Sequence, residues 1–304
     1  MAKVFIDGEV GTTGLQIRER LERRGDITLI RLDPERRKDP AARAEALAEA
    51  EVAILCLPDE AARKAVALAE GAGTRIIDAS TAHRVAEGWV FGFPEMAPGQ
   101  RAAVAGAARV SNPGCWSTCA IALIRPLVAA GLIDPAAPPS ISGVSGYSGG
   151  GKAMIAEFET GAVRGAFLYG HAQGHKHLPE IVAHAGLTRA PVFVPSVGHY
   201  AQGMALAVHL PDLGAAGIAR AAEVLGDWYA GARFVSVVAA SVHEPRVNPE
   251  RLNGTNRLDL SVHGNPRTGA AVLVAVLDNL GKGASGAAVQ NLNLMLGMDE
   301  GAGL

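Results

Sequence analysis

Short aliphatic runs alternate with alanine-rich amphipathic stretches through the first third of the chain. Residues 3–7 (KVFID), 27–32 (ITLIRL), 52–57 (VAILCL) and 75–78 (RIID) have the length and composition of strands. Residues 14–24, 41–51 and 59–70 lie between them and read as helices. The first places Ile17 and Leu21 on one face and arginines on the other. Strand-helix alternation of this kind predicts a parallel sheet with helices on its faces. The rhythm changes after about residue 112. Residues 117–130 read as a buried helix, and 140–145 as a strand entering a glycine-rich loop. Beyond Pro191, residues 192–197, 204–210, 234–239, 258–262 and 271–277 read as strands around one helix at 215–229. A last helix spans about 284–296. The pattern predicts an α/β chain: a parallel-sheet domain over 1–112, then an α+β domain over 113–279 with a mixed or antiparallel sheet.

Composition narrows the functional classes. With 304 residues and 49% hydrophobic content, the chain can build one large or two ordinary cores. A formal net charge of −2 supplies no global field for nucleic acid or an anionic membrane. No apolar run approaches the ~20 residues that cross a bilayer. The opening MAKVFIDGEVG carries no secretory pattern, and three cysteines do not make a disulfide framework. A cytoplasmic protein is the expectation.

The segment Gly8-Glu9-Val10-Gly11-Thr12-Thr13-Gly14 joins the first strand to the first helix. Glycines at that junction allow a tight turn and close backbone approach to a pyrophosphate, which the helix N-terminus then attracts. This predicts a Rossmann-like nucleotide domain. The second strand is followed by Asp33 and then by Arg36, Arg37 and Lys38. An acid there suits a ribose 2′-hydroxyl, whereas arginines suit a 2′-phosphate, so the basic run favours NADP(H). A solvated charge run is the competing reading.

Ser111-Asn112-Pro113-Gly114-Cys115 stops a strand, turns sharply and sets Cys115 at the start of an apolar helix. A helix N-terminus favours thiolate over thiol, which a nucleophile needs. Cys56, inside VAILCL, and Cys119, one turn after Cys115, read as small buried hydrophobes. Gly174-His175-Lys176-His177-Leu178-Pro179-Glu180 holds two histidines suited to general acid–base work. The same set, with His171, His184 or His199, could hold a metal. That reading ranks second because thioester chemistry needs none, and no metal is expected. Gly146–Ala153 nearly matches a P-loop, but Ala153 stands where a magnesium-binding hydroxyl belongs. A kinase or ATPase is therefore excluded. An anion cradle and a flexible hairpin turn stay open for that loop.

These motifs together resemble the short-form N-acetyl-gamma-glutamyl-phosphate reductases of the semialdehyde dehydrogenase family. The resemblance runs through GEVGTTG at Gly8, DASTAHR at Asp78, SNPGCWST at Ser111, SGYSGGGK at Ser145, HKHLPEI at His175, LNGTNRL at Leu252 and DNLGKGASGAAVQNLN at Asp278. It implies an NADPH-dependent enzyme that reduces an acyl phosphate to a semialdehyde through a thioester on Cys115, with His175 or His177 moving the proton. It assigns the dinucleotide to Gly8, Gly11, Thr12, Thr13, Gly14, Ser80, Asn279, Gly283, Ser285 and Gly286, beside Arg36 and Arg37. It assigns substrate and phosphate to Arg84, Asn112, Ser145, Gly146, Ser148, Gly149 and Lys152. It also returns residues of about 280–304 to the nucleotide domain and implies a homodimer or homotetramer. Trp116 and Ser117 replace the family's usual tyrosine and proline, which alters the pocket wall beside the cysteine. Aspartate-semialdehyde dehydrogenase and a lysine-pathway reductase use the same chemistry on other chain lengths. A non-catalytic NADP-binding protein is a further alternative.

Overall fold

The computed structural model describes all 304 residues, which divide into two compact units. The first contains residues 1–94, 98–114 and 284–304. Its strands are β1 (Ala2–Asp7), β2 (Ile27–Ile30), β3 (Val52–Leu55), β4 (Arg75–Asp78), β5 (Val90–Phe91) and β6 (Arg109–Ser111). They form one parallel sheet in the order β2-β1-β3-β4-β6-β5. The helices of this unit are α1 (Thr12–Leu21), α2 (Pro40–Glu49), α3 (Asp59–Leu68), α4 (Gln100–Gly106) and the chain's final helix (Gly286–Met295).

Both faces of this sheet are covered, which explains its unbroken apolar strands. Val4, Ile6, Val52, Ile54 and Ile77 pack with Ile17 and Leu21 of α1 and with Val289 and Leu292 of the final helix. Phe5, Ala53, Leu55 and Ile76 face the other way, onto Leu47 of α2 and Ala62 and Ala65 of α3. Strand β2 stops at Ile30, not Leu32, because β1 supplies backbone partners only for Ile27–Ile30.

The second unit contains residues 95–97 and 115–283. Its helices are α5 (Cys115–Ala129), α6 (Gly151–Glu159), α7 (Leu178–Ala185) and α8 (Gly214–Trp228). Its strands are β7 (Ser140–Gly146), β8 (Phe167–Leu168), β9 (Phe193–Gly198), β10 (Met204–Leu210), β11 (Val235–Val237), β12 (Leu258–Gly264) and β13 (Ala271–Leu277). They form a mixed sheet in the order β11-β12-β13-β10-β7-β9-β8. The β7–β9 and β11–β12 pairs are parallel, and the rest are antiparallel. This is the α/β chain with parallel and mixed sheets that the pattern predicts. The glycine-rich segment after β7 is not a hairpin turn: Tyr147–Gly150 makes a 3-10 turn that runs into α6. No helix is long and apolar enough to cross a membrane.

Helix α5 is the centre of this unit's core. Residues Trp116 to Leu123 are all buried along it, so it is apolar around most of its circumference. Leu123 is fully buried. Leu123→Ala should therefore cost about 2–5 kcal/mol of stability, seen as a lower denaturant midpoint with unchanged slope.

Candidate active site

In the first unit the glycine loop is shaped by close backbone approach. Gly8 has φ +91°, and a Cβ there would lie 2.3 Å from the Cys56 carbonyl oxygen. A Cβ on Gly14 would lie 2.5 Å from the Gly8 carbonyl oxygen. Gly11 caps α1 without any side-chain hydrogen bond, so Thr12, Thr13 and Gly14 present first-turn N–H groups that no cap occupies. Open donors and a helix dipole at such a start suit an anion. Arg37 pairs with Glu9 of this loop at 3.3 Å. Arg36 instead turns to Asp39 and Glu45, at 3.4 and 3.8 Å.

A second cluster sits beyond the end of β4. The buried Asp78 carboxylate accepts from the Ser80 amide (2.9 Å), the Ser80 hydroxyl (2.7 Å) and His83 Nδ1 (2.6 Å). His83 stacks on Trp89 with ring centroids 4.1 Å apart. Arg84 is buried and donates through Nε to the Asn112 carbonyl at 3.0 Å and through Nη2 to the Ala79 carbonyl at 3.2 Å. The Asn112 amide donates to the Ala284 carbonyl and accepts from Asn291. Ser285 donates to Gln16 Oε1 at 2.9 Å. Ser80, Asn112 and Ser285 thus make internal braces through their side chains. Cys56 lies near Asp78 and Asp7; desolvation first, then those two charges, push its thiol up to about 12.

In the second unit, Cys115 is the first residue of α5 and is half-buried. That position favours an anionic sulfur. Cys119, one turn on, is fully buried, and desolvation followed by the charge at Cys115 holds its thiol well above the ordinary range. Aromatic rings adjoin Cys115. Trp116 Nε1 donates to the Tyr169 hydroxyl at 2.9 Å. Trp116 also meets Phe193 edge-on, at 5.5 Å between centroids, and Phe193 meets His175 at 5.1 Å. Tyr169 is tilted against His175 at 5.6 Å, and His175 meets His177 at 4.8 Å. Burial, then the charge at Cys115, raise the Tyr169 phenol above its ordinary value, so it stays protonated. The Trp116 indole fits against β7 only because residue 143 is glycine: a Cβ there would lie 2.6 Å from the ring.

The two histidines occupy different environments. His175 Nδ1 accepts the His177 backbone N–H at 3.1 Å, which places its own proton on Nε2. Desolvation, then the Lys176 charge, lower its pKa to about 4. His177 is the buried N-cap residue of α7, and its Nε2 lies 3.9 Å from Glu180 Oε1. Glu180 is itself only 1% exposed. No group of three or more His, Cys, Asp or Glu side chains is arranged to hold a metal ion.

The loop after β7 is braced from β13. Asn279 donates to Ser148 Oγ at 3.0 Å and accepts the Gly203 amide at 2.7 Å. Asp278 accepts from Gln202, from the Gly254 amide and from the Leu280 amide. Ser145 is buried and donates to the Gly146 carbonyl, whereas Gly149 and Lys152 are exposed. Gly283 lies against Cys115: a Cβ there would be 2.7 Å from Cys115 Cβ. Gly286 opens the final helix of the first unit. The motif residues therefore gather into a glycine-loop set in the first unit and a Cys115–His177 set in the second. Sequence reasoning missed Tyr169, Glu95 and the role of Lys282. Tyr169 lies in a stretch without periodicity, and Glu95 is brought to its partner only by the fold.

Residues 115–279 match the semialdehyde dehydrogenase dimerisation domain, and residues 14–104 match the semialdehyde dehydrogenase NAD binding domain. An N-acetyl-gamma-glutamyl-phosphate reductase of Chelativorans sp. (strain BNC1) is 53% identical, with 97% of this chain and 98% of the relative covered. N-acetyl-gamma-glutamyl-phosphate reductase 2 of Nostoc sp. (strain PCC 7120 / SAG 25.82 / UTEX 2576) is 47% identical, with 99% of each covered. Among solved structures, aspartate semialdehyde dehydrogenase II from Vibrio cholerae shares the fold at 18% identity. Its TM-score is 0.70, with 97% of this chain and 98% of that one covered. The chain belongs to the N-acetyl-gamma-glutamyl-phosphate reductases of the semialdehyde dehydrogenase family.

Proposed function

We propose that this protein reduces N-acetyl-glutamyl 5-phosphate to N-acetyl-glutamate 5-semialdehyde with NADPH and releases phosphate, a step of arginine biosynthesis. The observation that carries the reading is a half-buried cysteine on the first turn of α5, in the same unit as the buried His177–Glu180 pair. The reductases cited above are near half-identical over nearly their whole length, which favours this substrate over aspartyl phosphate.

The Cys115 sulfur attacks the acyl carbon. As the thiolate attacks, a C–S bond forms and the C–O bond to phosphate breaks, and the departing phosphate takes a proton from solvent. NADPH supplies the hydride when bound. His177 gives a proton to the thiohemiacetal oxygen and recovers it as the C–S bond breaks, which frees the aldehyde and returns the thiolate. His175 serves as a neutral partner of the same turn, because burial keeps its imidazole unprotonated above about pH 4. Exposed Lys152 and the serines of the loop after β7 offer contacts for the departing phosphate.

The first unit fits the dinucleotide. The backbone cradle at Gly8 and Gly14 leaves no space for side chains, and the open first turn of α1 accepts the pyrophosphate. Arg37, set beside the loop by Glu9, takes the 2′-phosphate. Losing a hydrogen bond to a charged group costs about 1.5–3 kcal/mol. Arg37→Ala should therefore raise KM for NADPH roughly 10- to 100-fold and leave KM for NADH within about twofold. Equal effects on both cofactors in steady-state kinetics would remove Arg37 from this role. We assign oligomerisation to the second unit, as a homodimer or homotetramer, and the cytoplasm as the place of action. The matched dimerisation domain and three cysteines without a disulfide support both assignments.

A further inference from the structure

Lys282 is 1% exposed, an unusual place for an ammonium group. Its Nζ lies 2.8 Å from both carboxylate oxygens of Glu95 and 5.6 Å from the centroid of the Phe234 ring. The Glu95 side chain is itself only 8% exposed. A buried ion pair is seldom more stable than apolar side chains of the same volume. The geometry here is that of a π-helical turn, Gly281–Ser285, an irregularity that frequently marks functional sites. Glycines flank Lys282 on both sides, and neither has room for a side chain. A Cβ on Gly281 would lie 2.1 Å from the Thr255 carbonyl oxygen, and one on Gly283 would lie 2.7 Å from Cys115 Cβ. The backbone that carries Lys282 is thus wedged between the Thr255 carbonyl and Cys115.

We infer that the Lys282–Glu95 ion pair is a positioning device for Cys115: it anchors the Gly281–Gly283 backbone against the cysteine's Cβ and so confines the sulfur to its reactive orientation. Lys282 acts here through the turn and not on the reacting atoms. The inference rests on Cys115 being the nucleophile of the proposed reaction. An ångström of displacement at a reacting atom costs on the order of 100-fold in rate, and a partial loosening of this turn costs less.

The test uses the full-length protein. Lys282→Met removes the cation, and the double variant Lys282→Met with Glu95→Gln removes both charges, so that no uncompensated charge is left buried. Circular dichroism and thermal melting establish which variants fold. Iodoacetamide then reports the alkylation rate of Cys115, followed by peptide mass spectrometry. The expected result is alkylation at least about tenfold slower in the folded variants, with kcat reduced by a similar factor and KM for the acyl phosphate within about threefold. A folded variant with wild-type alkylation rate and kcat overturns the inference. So does a double variant that cannot fold, because the pair would then serve the core as a whole. Alkylation needs no turnover: a wild-type protein inactive as a reductase sinks the proposed function, while the alkylation ratio still decides the positioning role.

Discussion

Cys115→Ala should lower kcat for acyl-phosphate reduction by at least about four orders of magnitude, the scale seen when a covalent nucleophile is removed. The loss follows from the route: without the sulfur no thioester forms, and hydride must reach a bound acyl phosphate directly. Cys115→Ser should restore little, because a hydroxyl has no comparable anion near neutrality. The other two thiols cannot substitute. Burial and the neighbouring Asp78 and Asp7 hold Cys56 protonated, with its pKa at about 12, and Cys119 is fully buried behind the first turn of α5. Iodoacetamide at neutral pH should therefore label one cysteine per chain, and excess substrate should protect it. Peptide mapping that found Cys56 or Cys119 labelled first, with activity retained, would reassign the nucleophile.

His177→Asn should reduce kcat by about 100- to 10,000-fold, the usual worth of a positioned proton donor, with little change in KM. His175→Asn should cost less. The asymmetry comes from the turn itself. His175 spends Nδ1 on the His177 backbone N–H and is depressed to a pKa of about 4 by desolvation and then by Lys176. Its folded-state pKa lies below the ordinary 6.5, so the imidazole stays neutral as pH falls until about 4. Between about pH 5 and 8, where an ordinary histidine titrates, His175 does not change charge. The kcat profile of His175→Asn over that range should accordingly keep the wild-type shape. A flattened profile in the His175 variant alone would exchange the two roles.

The fold was legible wherever an element was long enough to carry a period. Residues 75–78, 204–210 and 271–277 are strands with the limits the pattern predicts, because each is a largely aliphatic run inside a sheet. Strand β5 has two residues, too few for any periodicity, and went unseen, whereas the three-residue β6 was readable only through the Pro113-Gly114 stop that follows it. Helices α6 and α7 were missed for different reasons. The first follows a run of glycines, and the second is eight residues long with Pro179 in its first turn. Strand 234–239 shrank to Val235–Val237, the residues in register with Leu258–Leu260 of β12. At the site, the Pro113-Gly114 stop made the helix start at Cys115 readable, and the glycine junction marked the turn from β1 into α1. What the sequence withheld was pairing at a distance. Lys282 and Glu95 are 187 residues apart, and Trp116 and Tyr169 are 53 apart. Nothing local marks either pair. The sequence also left the two histidines equivalent; only the backbone hydrogen bond and burial of the folded turn distinguish them.

The central claim is a phosphate-dependent reaction of one semialdehyde through Cys115. Its most direct test runs the reaction backwards, with N-acetyl-glutamate 5-semialdehyde, NADP and inorganic phosphate, following the absorbance of the reduced cofactor. The account predicts sustained cofactor reduction that requires phosphate, vanishes in Cys115→Ala and is far slower with aspartate semialdehyde. Faster turnover of aspartate semialdehyde would contradict the substrate assignment, and undiminished turnover in Cys115→Ala would contradict the thioester route.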